Sequence, residues 1–151
     1  MKHIQALICL AAIICCFASC KKEDDISELF EGRKLYMTEV RIQGSNIVGE
    51  DLKTIYRSED AYYIQFGKET FTGSLANGAT FNGTWEADGK KHTFQLSIRQ
   101  TPSTSQHVDR LILNTLNKVI RYEGDSNIIR LIADDANVVT ISAKRSPESS
   151  L

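Results

Sequence analysis

A thiol is the most reactive side chain in this sequence, and its position decides what chemistry it can do. Cys9, Cys15 and Cys16 fall inside an apolar leader, and Cys20 closes that leader. Beyond residue 20 there is no cysteine, so no disulfide, cysteine zinc site or thiol nucleophile can be assembled there. His92 follows Asp88-Gly89, and His107 stands near the start of a helical stretch. A metal or general-base site needs such histidines joined by carboxylates; apart, they read as surface histidines. The acidic pairs Glu50-Asp51 and Asp134-Asp135 read as loop and turn residues, because neither sits in the alternating spacing around a glycine that a calcium loop requires. No Gly-x-Ser-x-Gly elbow occurs among the serines. The glycines Gly73 to Gly83 lack the Lys-Ser that follows a phosphate loop, and Asn82-Gly83-Thr84, formally a glycosylation acceptor, reads as turn chemistry. The residues therefore point to no catalytic site, no metal and no cofactor, and to a chain that is not an enzyme. A net charge of -1, with 25% charged residues, gives no electrostatic reason for nucleic acid or anionic lipid as a partner.

The chemistry that Cys20 does fit is acylation. Lys2 and His3 precede an unbroken apolar run from Ala6 to Ala18. A spanning helix needs roughly 20 residues, so this run has the length of a secretory core and not of a permanent anchor. It ends in Phe17-Ala18-Ser19-Cys20, which resembles the lipobox of bacterial lipoproteins: a bulky apolar residue, two small ones and the cysteine that takes the acyl chains, palmitate among them. Residues 1–19 are expected to be a signal peptide. More than one chain on Cys20 gives firm attachment, whereas a single chain gives marginal binding. Lys21, Lys22, Glu23, Asp24 and Asp25 follow directly. That run resembles a surface-export signal of lipoproteins in some Gram-negative bacteria. The expected location is the outer membrane, lipid-anchored at the cell surface, with the periplasmic face as the alternative.

The elements between the charged tether (20–32) and a polar tail (146–151) follow from periodicity. Asp25 caps one helical turn over Ile26 to Glu31, and Gly32 stops it. Period-two alternation predicts strands over 33–43, 62–66, 69–76, 79–87, 91–100, 119–123, 127–133 and 138–144, with a weaker one over 52–57. Asn77-Gly78 and Asp88-Gly89 supply tight turns. Tyr62, Ile64 and Phe66 share one face, and so do Phe81 and Trp85, and Phe94, Leu96 and Ile98. Gly73 and Gly83 inside strands predict bends in a curling sheet. From Thr104 to Lys118 the apolar spacing turns helical, through Val108, Leu111, Ile112 and Leu116. These elements define a mainly β (α+β) fold over 33–145: a curved antiparallel sheet or open barrel of about eight strands with one helix packed on it.

The helix and its flanks, Ile98-Arg-Gln-Thr101, Asp109-Arg-Leu-Ile-Leu113 through Leu116 and Val119 to Tyr122, then Ile129-Arg-Leu131, resemble a META domain. Phe71-Thr-Gly73 and Phe81-Asn-Gly83-Thr-Trp85 match its earlier glycine and aromatic positions, so the resemblance covers roughly 62–144. It departs from that family at Ala79-Thr80, where a Cys-Asn is frequent, and in a missing second cysteine before the helix. The resemblance implies a small β-rich envelope module, often lipid-anchored, and carries no catalytic residue across.

Residues 44–60 read as an insertion after the first strand. Within or beside it, Ile47, Val48, Leu52, Ile55, Tyr56 and Tyr63 are the candidate contacts for a protein or another surface component, because loops on rigid scaffolds carry function. The alternative is a lipocalin-like carrier of a small apolar ligand, which requires a cavity of roughly 300 Å³ or more lined by the strand aromatics.

Overall fold

In the computed structural model, residues 23–47, Ile55 and 60–145 are described. The alternating segments form nine strands: β1 (Lys34–Ile42), β2 (Ser45–Asn46), β3 (Tyr63–Phe66), β4 (Thr70–Ser74), β5 (Thr80–Asp88), β6 (Thr93–Gln100), β7 (Arg121–Gly124), β8 (Ile128–Asp134) and β9 (Asn137–Ser142). Among the described residues, the α-helices α1 (Ile26–Phe30) and α2 (His107–Leu116) accompany them, with a 3-10 turn over Ala76–Gly78. Neighbouring strands are antiparallel in the order β2-β1-β3-β4-β5-β6-β7-β8-β9, and β1 also pairs with β9, from Tyr36 with Ser142 to Arg41 with Val138. That pairing closes eight of the strands into a barrel. The short β2 lies outside the ring, folded back on the end of β1 through Gln43 and Gly44, both at positive φ as a tight hairpin requires.

Side-chain alternation decides which residues enter the ring. A register shift between Met37 and Glu39 keeps both Met37 and Val40 on the inside of β1. β9 is buried at four successive positions, Val138 to Ile141, so its outer face is covered as well. The closest backbone approaches explain two of the glycines. A Cβ on Gly83 would stand 1.9 Å from the Ser97 carbonyl oxygen on β6, and one on Gly73 would stand 2.1 Å from the Phe81 ring.

Five aromatic rings occupy the centre. Phe30, fully buried, stands 4.8 Å from Phe94, 5.3 Å from Phe66, 5.5 Å from Trp85 and 5.6 Å from Tyr122, measured between ring centroids. Phe30 comes from α1, so the later part of the expected tether (20–32) inserts into one end of the barrel as a plug. The Arg33 guanidinium fastens that plug, donating to the carbonyls of Glu28 (3.5 Å), Leu29 (2.9 Å) and Ser126 in the β7–β8 turn. Strand alternation puts the β3–β4, β5–β6 and β7–β8 turns at this same end. At the other end, α2 packs its buried row Val108, Ile112 and Leu116 against β9, β1 and β8. β6 and β7 pair over a short stretch, with Thr93 opposite Arg121 and backbone bonds from the Phe94 N–H to the Ile120 carbonyl and from the Tyr122 N–H to the His92 carbonyl, each 3.1 Å, which leaves a seam in the wall.

The expected mainly β fold, a curved antiparallel sheet or barrel of about eight strands with one helix packed on it, is present, and β1 and β9 close it by pairing across most of the chain. Two expectations change. The helix starts at His107 and not near Thr104, since Thr104 turns its hydroxyl to other work described below. Ile55, the one residue described between 47 and 60, is helical and 3% exposed, so it does not continue a strand over 52–57.

Candidate functional site

The tether reaches the barrel at Asp24. Its carboxylate accepts a hydrogen bond from the Tyr122 hydroxyl at 2.8 Å and lies 3.1 Å from Nδ1 of His92. Its backbone N–H donates to the Gly89 carbonyl at 3.3 Å. Burial, then the bond to Asp24 and its negative charge, push the ionisation of the Tyr122 phenol far above its ordinary value. Asp25 takes the next step as the helix cap, accepting from the N–H groups of Ser27 (3.0 Å) and Glu28 (3.2 Å). Two of the five residues of the export-like run thus hold the fold together, Glu23 is exposed, and Lys21, Lys22 and Cys20 lie outside the described residues.

The other candidates separate. Ile47 is half-buried against the core, and Ile55 belongs to the core itself. Val48, Leu52 and Tyr56 lie outside the described residues. Tyr63 stands on the outer wall beside Tyr36, ring centroids 6.3 Å apart, with the Lys34 ammonium 3.9 Å from its ring centroid. Arg145 lies 5.6 Å from the centroid of Tyr36. The large apolar side chains that the described structure exposes are Ile120 (60%) and Ile128 (54%), which the spacing of residues did not single out. Ile120 borders a shallow groove of about 400 Å³ with Glu86, Asp88, Thr93 and Gln95 at the seam.

The outer face of β1, β9, β8 and β7 carries ordered charge. Register aligns Glu39, Thr140, Arg130 and Glu123 in one row and Arg41, Val138, Ile132 and Arg121 in the next. Glu123 takes both Arg130 (3.0 Å) and Arg121, and Asp135 takes the other arm of Arg121 at 3.0 Å. Among the described residues no three of His, Cys, Asp and Glu gather as a metal site, and no helix is long and apolar enough to cross a membrane. His92 and His107 stay apart, the first with Asp24 and the second opening α2.

The site that sequence reading missed is internal. Asp109, in the first turn of α2, is fully buried and accepts from the Tyr62 hydroxyl at 2.8 Å and the Thr104 hydroxyl at 2.6 Å. The signal available was an acid on the apolar side of an amphipathic helix, one residue after Val108.

These features define a closed eight-stranded antiparallel barrel with its own aromatic plug and a charged outer wall. The model of the family described as "Domain of unknown function (DUF4847)" matches residues 21–142, and the chain belongs to that family. A crystal structure of a DUF4847 family protein from Bacteroides vulgatus ATCC 8482 is similar over 82% of this chain and 100% of that one, with 23% identity and a TM-score of 0.65. It shares the fold. No curated protein matches. The family match corrects the expected META kinship. The glycine, aromatic and helix spacings that carried that resemblance are packing needs of a curled antiparallel sheet with one helix, and unrelated families meet them alike.

Proposed function

We propose that this protein is a non-enzymatic envelope lipoprotein, anchored to the outer membrane through acylated Cys20 and exposed at the cell surface, where it engages a protein or another surface component. The observation that carries the reading is the seating of Asp24. It lies four positions after Cys20, a reach of at most about 14 Å. An acyl anchor at Cys20 therefore holds the α1 end of the barrel against the bilayer. The opposite end, with the β1–β2 hairpin and the β8–β9 turn, then faces outward as the surface offered to a partner.

The carrier reading finds less support. Its cavity would have to occupy the space that Phe30, Phe66, Trp85, Phe94 and Tyr122 already fill.

Metabolic labelling with an alkynyl palmitate analogue tests the anchor. The native chain is expected to be labelled and to fractionate with membranes, and Cys20→Ser to lose both properties; an unlabelled native chain overturns the reading. Export is tested by protease accessibility in intact cells after Lys21→Ala, Lys22→Ala and Glu23→Ala together, a set that spares the folding contacts of Asp24 and Asp25. Cross-linking in the same cells should trap a partner through residues 44–63.

A further inference from the structure

One sector of the wall at the α1 end differs from the rest. β1 begins and β3 ends there: the Gly32 N–H donates to the Phe66 carbonyl, and the Phe66 N–H to the Arg33 carbonyl, each at 2.9 Å. β9 ends and β8 begins at the same level, because Ser142 stands opposite both Tyr36 and Ile128. Register therefore lines up Tyr63, Tyr36, Ser142 and Ile128 as one row on the outer face of β3, β1, β9 and β8. Ile128 is 54% exposed, and the two tyrosines are half-buried. Cations gather on this row. The Lys34 ammonium lies 3.9 Å from the ring centroid of Tyr63 and 5.4 Å from that of Tyr36, and the Arg145 guanidinium lies 5.6 Å from the latter. Lys144 follows Ser142 by two positions and is exposed. Asp125, in the turn that leads into Ile128, directs its carboxylate to the N–H groups of Asn127 (2.7 Å) and Ile128 (3.2 Å). The neighbouring α1 has the opposite sign, with Asp25 and Glu28 exposed and Glu31 half-buried. A net charge of -1 for the whole chain averages this polarity away.

Tyrosines, cations on long flexible stems and one bared isoleucine suit the headgroup layer of a bilayer. The rings and the isoleucine enter its apolar edge, while the cations stay in water beside the phosphates. The tether brings the sector within reach, since Cys20 stands at most about 14 Å from the seated Asp24. An upright barrel would instead press the acids of α1 onto anionic headgroups, which repel them. We propose that the barrel lies tilted on the bilayer, with Tyr36, Tyr63 and Ile128 at the lipid–water boundary and Lys34, Lys144 and Arg145 against lipid phosphates. The proposal rests on the anchored reading above and deepens it by naming the face that meets lipid.

Hydroxyl-radical footprinting read by mass spectrometry tests it, because exposed Tyr and Ile side chains are oxidised faster than covered ones. The chain from Cys20 onward is coupled through that thiol, the only one it holds, to a maleimide lipid in vesicles of phosphatidylcholine with phosphatidylglycerol. The same chain, free in solution with its thiol blocked, is the reference. Coupling supplies the attachment whether or not cells acylate Cys20, so this test and the palmitate labelling fail separately. Oxidation of Tyr36, Tyr63 and Ile128 is expected to slow on the vesicles, while Ile120, exposed at the β6–β7 seam, keeps its rate. The protection should weaken in high salt and on phosphatidylcholine alone, where the cations are screened or meet no net negative charge. Lys34→Glu with Ile128→Glu, two changes outside the core, should return the tyrosines to their free rate. Equal rates on and off the vesicles at all three residues overturn the proposal. Protection of Ile26 in α1 with Ile128 left open also overturns it, since the barrel then stands upright. Protection found in intact cells and absent on vesicles overturns it too, and assigns the row to a protein partner.

Discussion

The Tyr62 hydroxyl donates to the carboxylate of Asp109 at 2.8 Å, joining the residue before β3 to the first turn of α2 inside the protein. Tyr62 holds this position with φ at 55°, a left-handed conformation that costs a non-glycine residue about 1 kcal/mol. Its carbonyl also accepts from the Met37 N–H at 2.7 Å. Removing the hydroxyl leaves a fully buried carboxylate with Thr104 as its remaining side-chain donor. Tyr62→Phe is therefore expected to destabilise by about 1–3 kcal/mol, read from the urea midpoint. Thr104→Val should act in the same direction, and the double variant should cost less than the sum, because both bonds serve one carboxylate.

Phe30 is the plug. Phe30→Ala is expected to cost about 3–5 kcal/mol, since four rings lose their common neighbour and the rigid wall collapses little into the space. The fold should survive, with slower unfolding lost first at α1. A variant as stable as the native chain in urea would show that the rings pack without α1.

Gly83 and Gly73 should respond unequally to alanine. At Gly83 the added carbon meets backbone of β6, which can move only by parting the β5–β6 ladder. At Gly73 it meets the Phe81 ring, a side chain that can turn, though Phe81 is fully buried. Both changes overpack the wall by about 1–3 kcal/mol or more, and Gly83→Ala is expected to be the worse in thermal unfolding.

Stability should fall at both pH extremes for separable reasons. The Asp134 carboxyl is held below its ordinary value by the Asn137 side chain and the Ala136 N–H, Asp88 by the N–H of Lys91 above all, and Asp125 by those of Asn127 and Ile128. A depressed folded value means that the stabilisation is present above the ordinary carboxyl range and is lost as pH falls below about 4. Tyr122 has the opposite sign. Its raised folded value means that its contribution is complete below about pH 10 and is lost as pH climbs beyond that. Denaturant midpoints measured across pH should show a plateau between these limbs, with Asp134→Asn shrinking the acid limb and Tyr122→Phe the alkaline one.

Much of the fold was legible because its strands alternate cleanly. The predicted segments 62–66, 79–87 and 127–133 fall within one residue of β3, β5 and β8, where an apolar inner row faces Thr, Gln and Arg outside. Strand ends were less legible, since Lys91 and His92 fit a strand by alternation yet belong to the turn that Asp88 caps through the N–H groups of Lys90 and Lys91. Closure could not be read, because nothing local in Tyr36 or Ser142 names the other as its partner. The roles of Asp24 and Asp109 were hidden for the same reason: a carboxylate in a charged run, or in a helix's first turn, looks solvated until a distant tyrosine is folded onto it.

The seam between β6 and β7 gives the molecule a weak direction under load. A pull on the chain ahead of residue 24 is borne first by the polar bonds around Asp24, and these end on Tyr122 of β7 and on Gly89 and His92 of the β5–β6 turn. The force thus straddles the short stretch of wall around Thr93 and Arg121, held by the backbone bonds from Phe94 to Ile120 and from Tyr122 to His92. Tension from the N-terminus would peel the barrel open like a zipper from that stitch, while the long β5–β6 and β1–β9 ladders, loaded later and along their length, keep the rest intact.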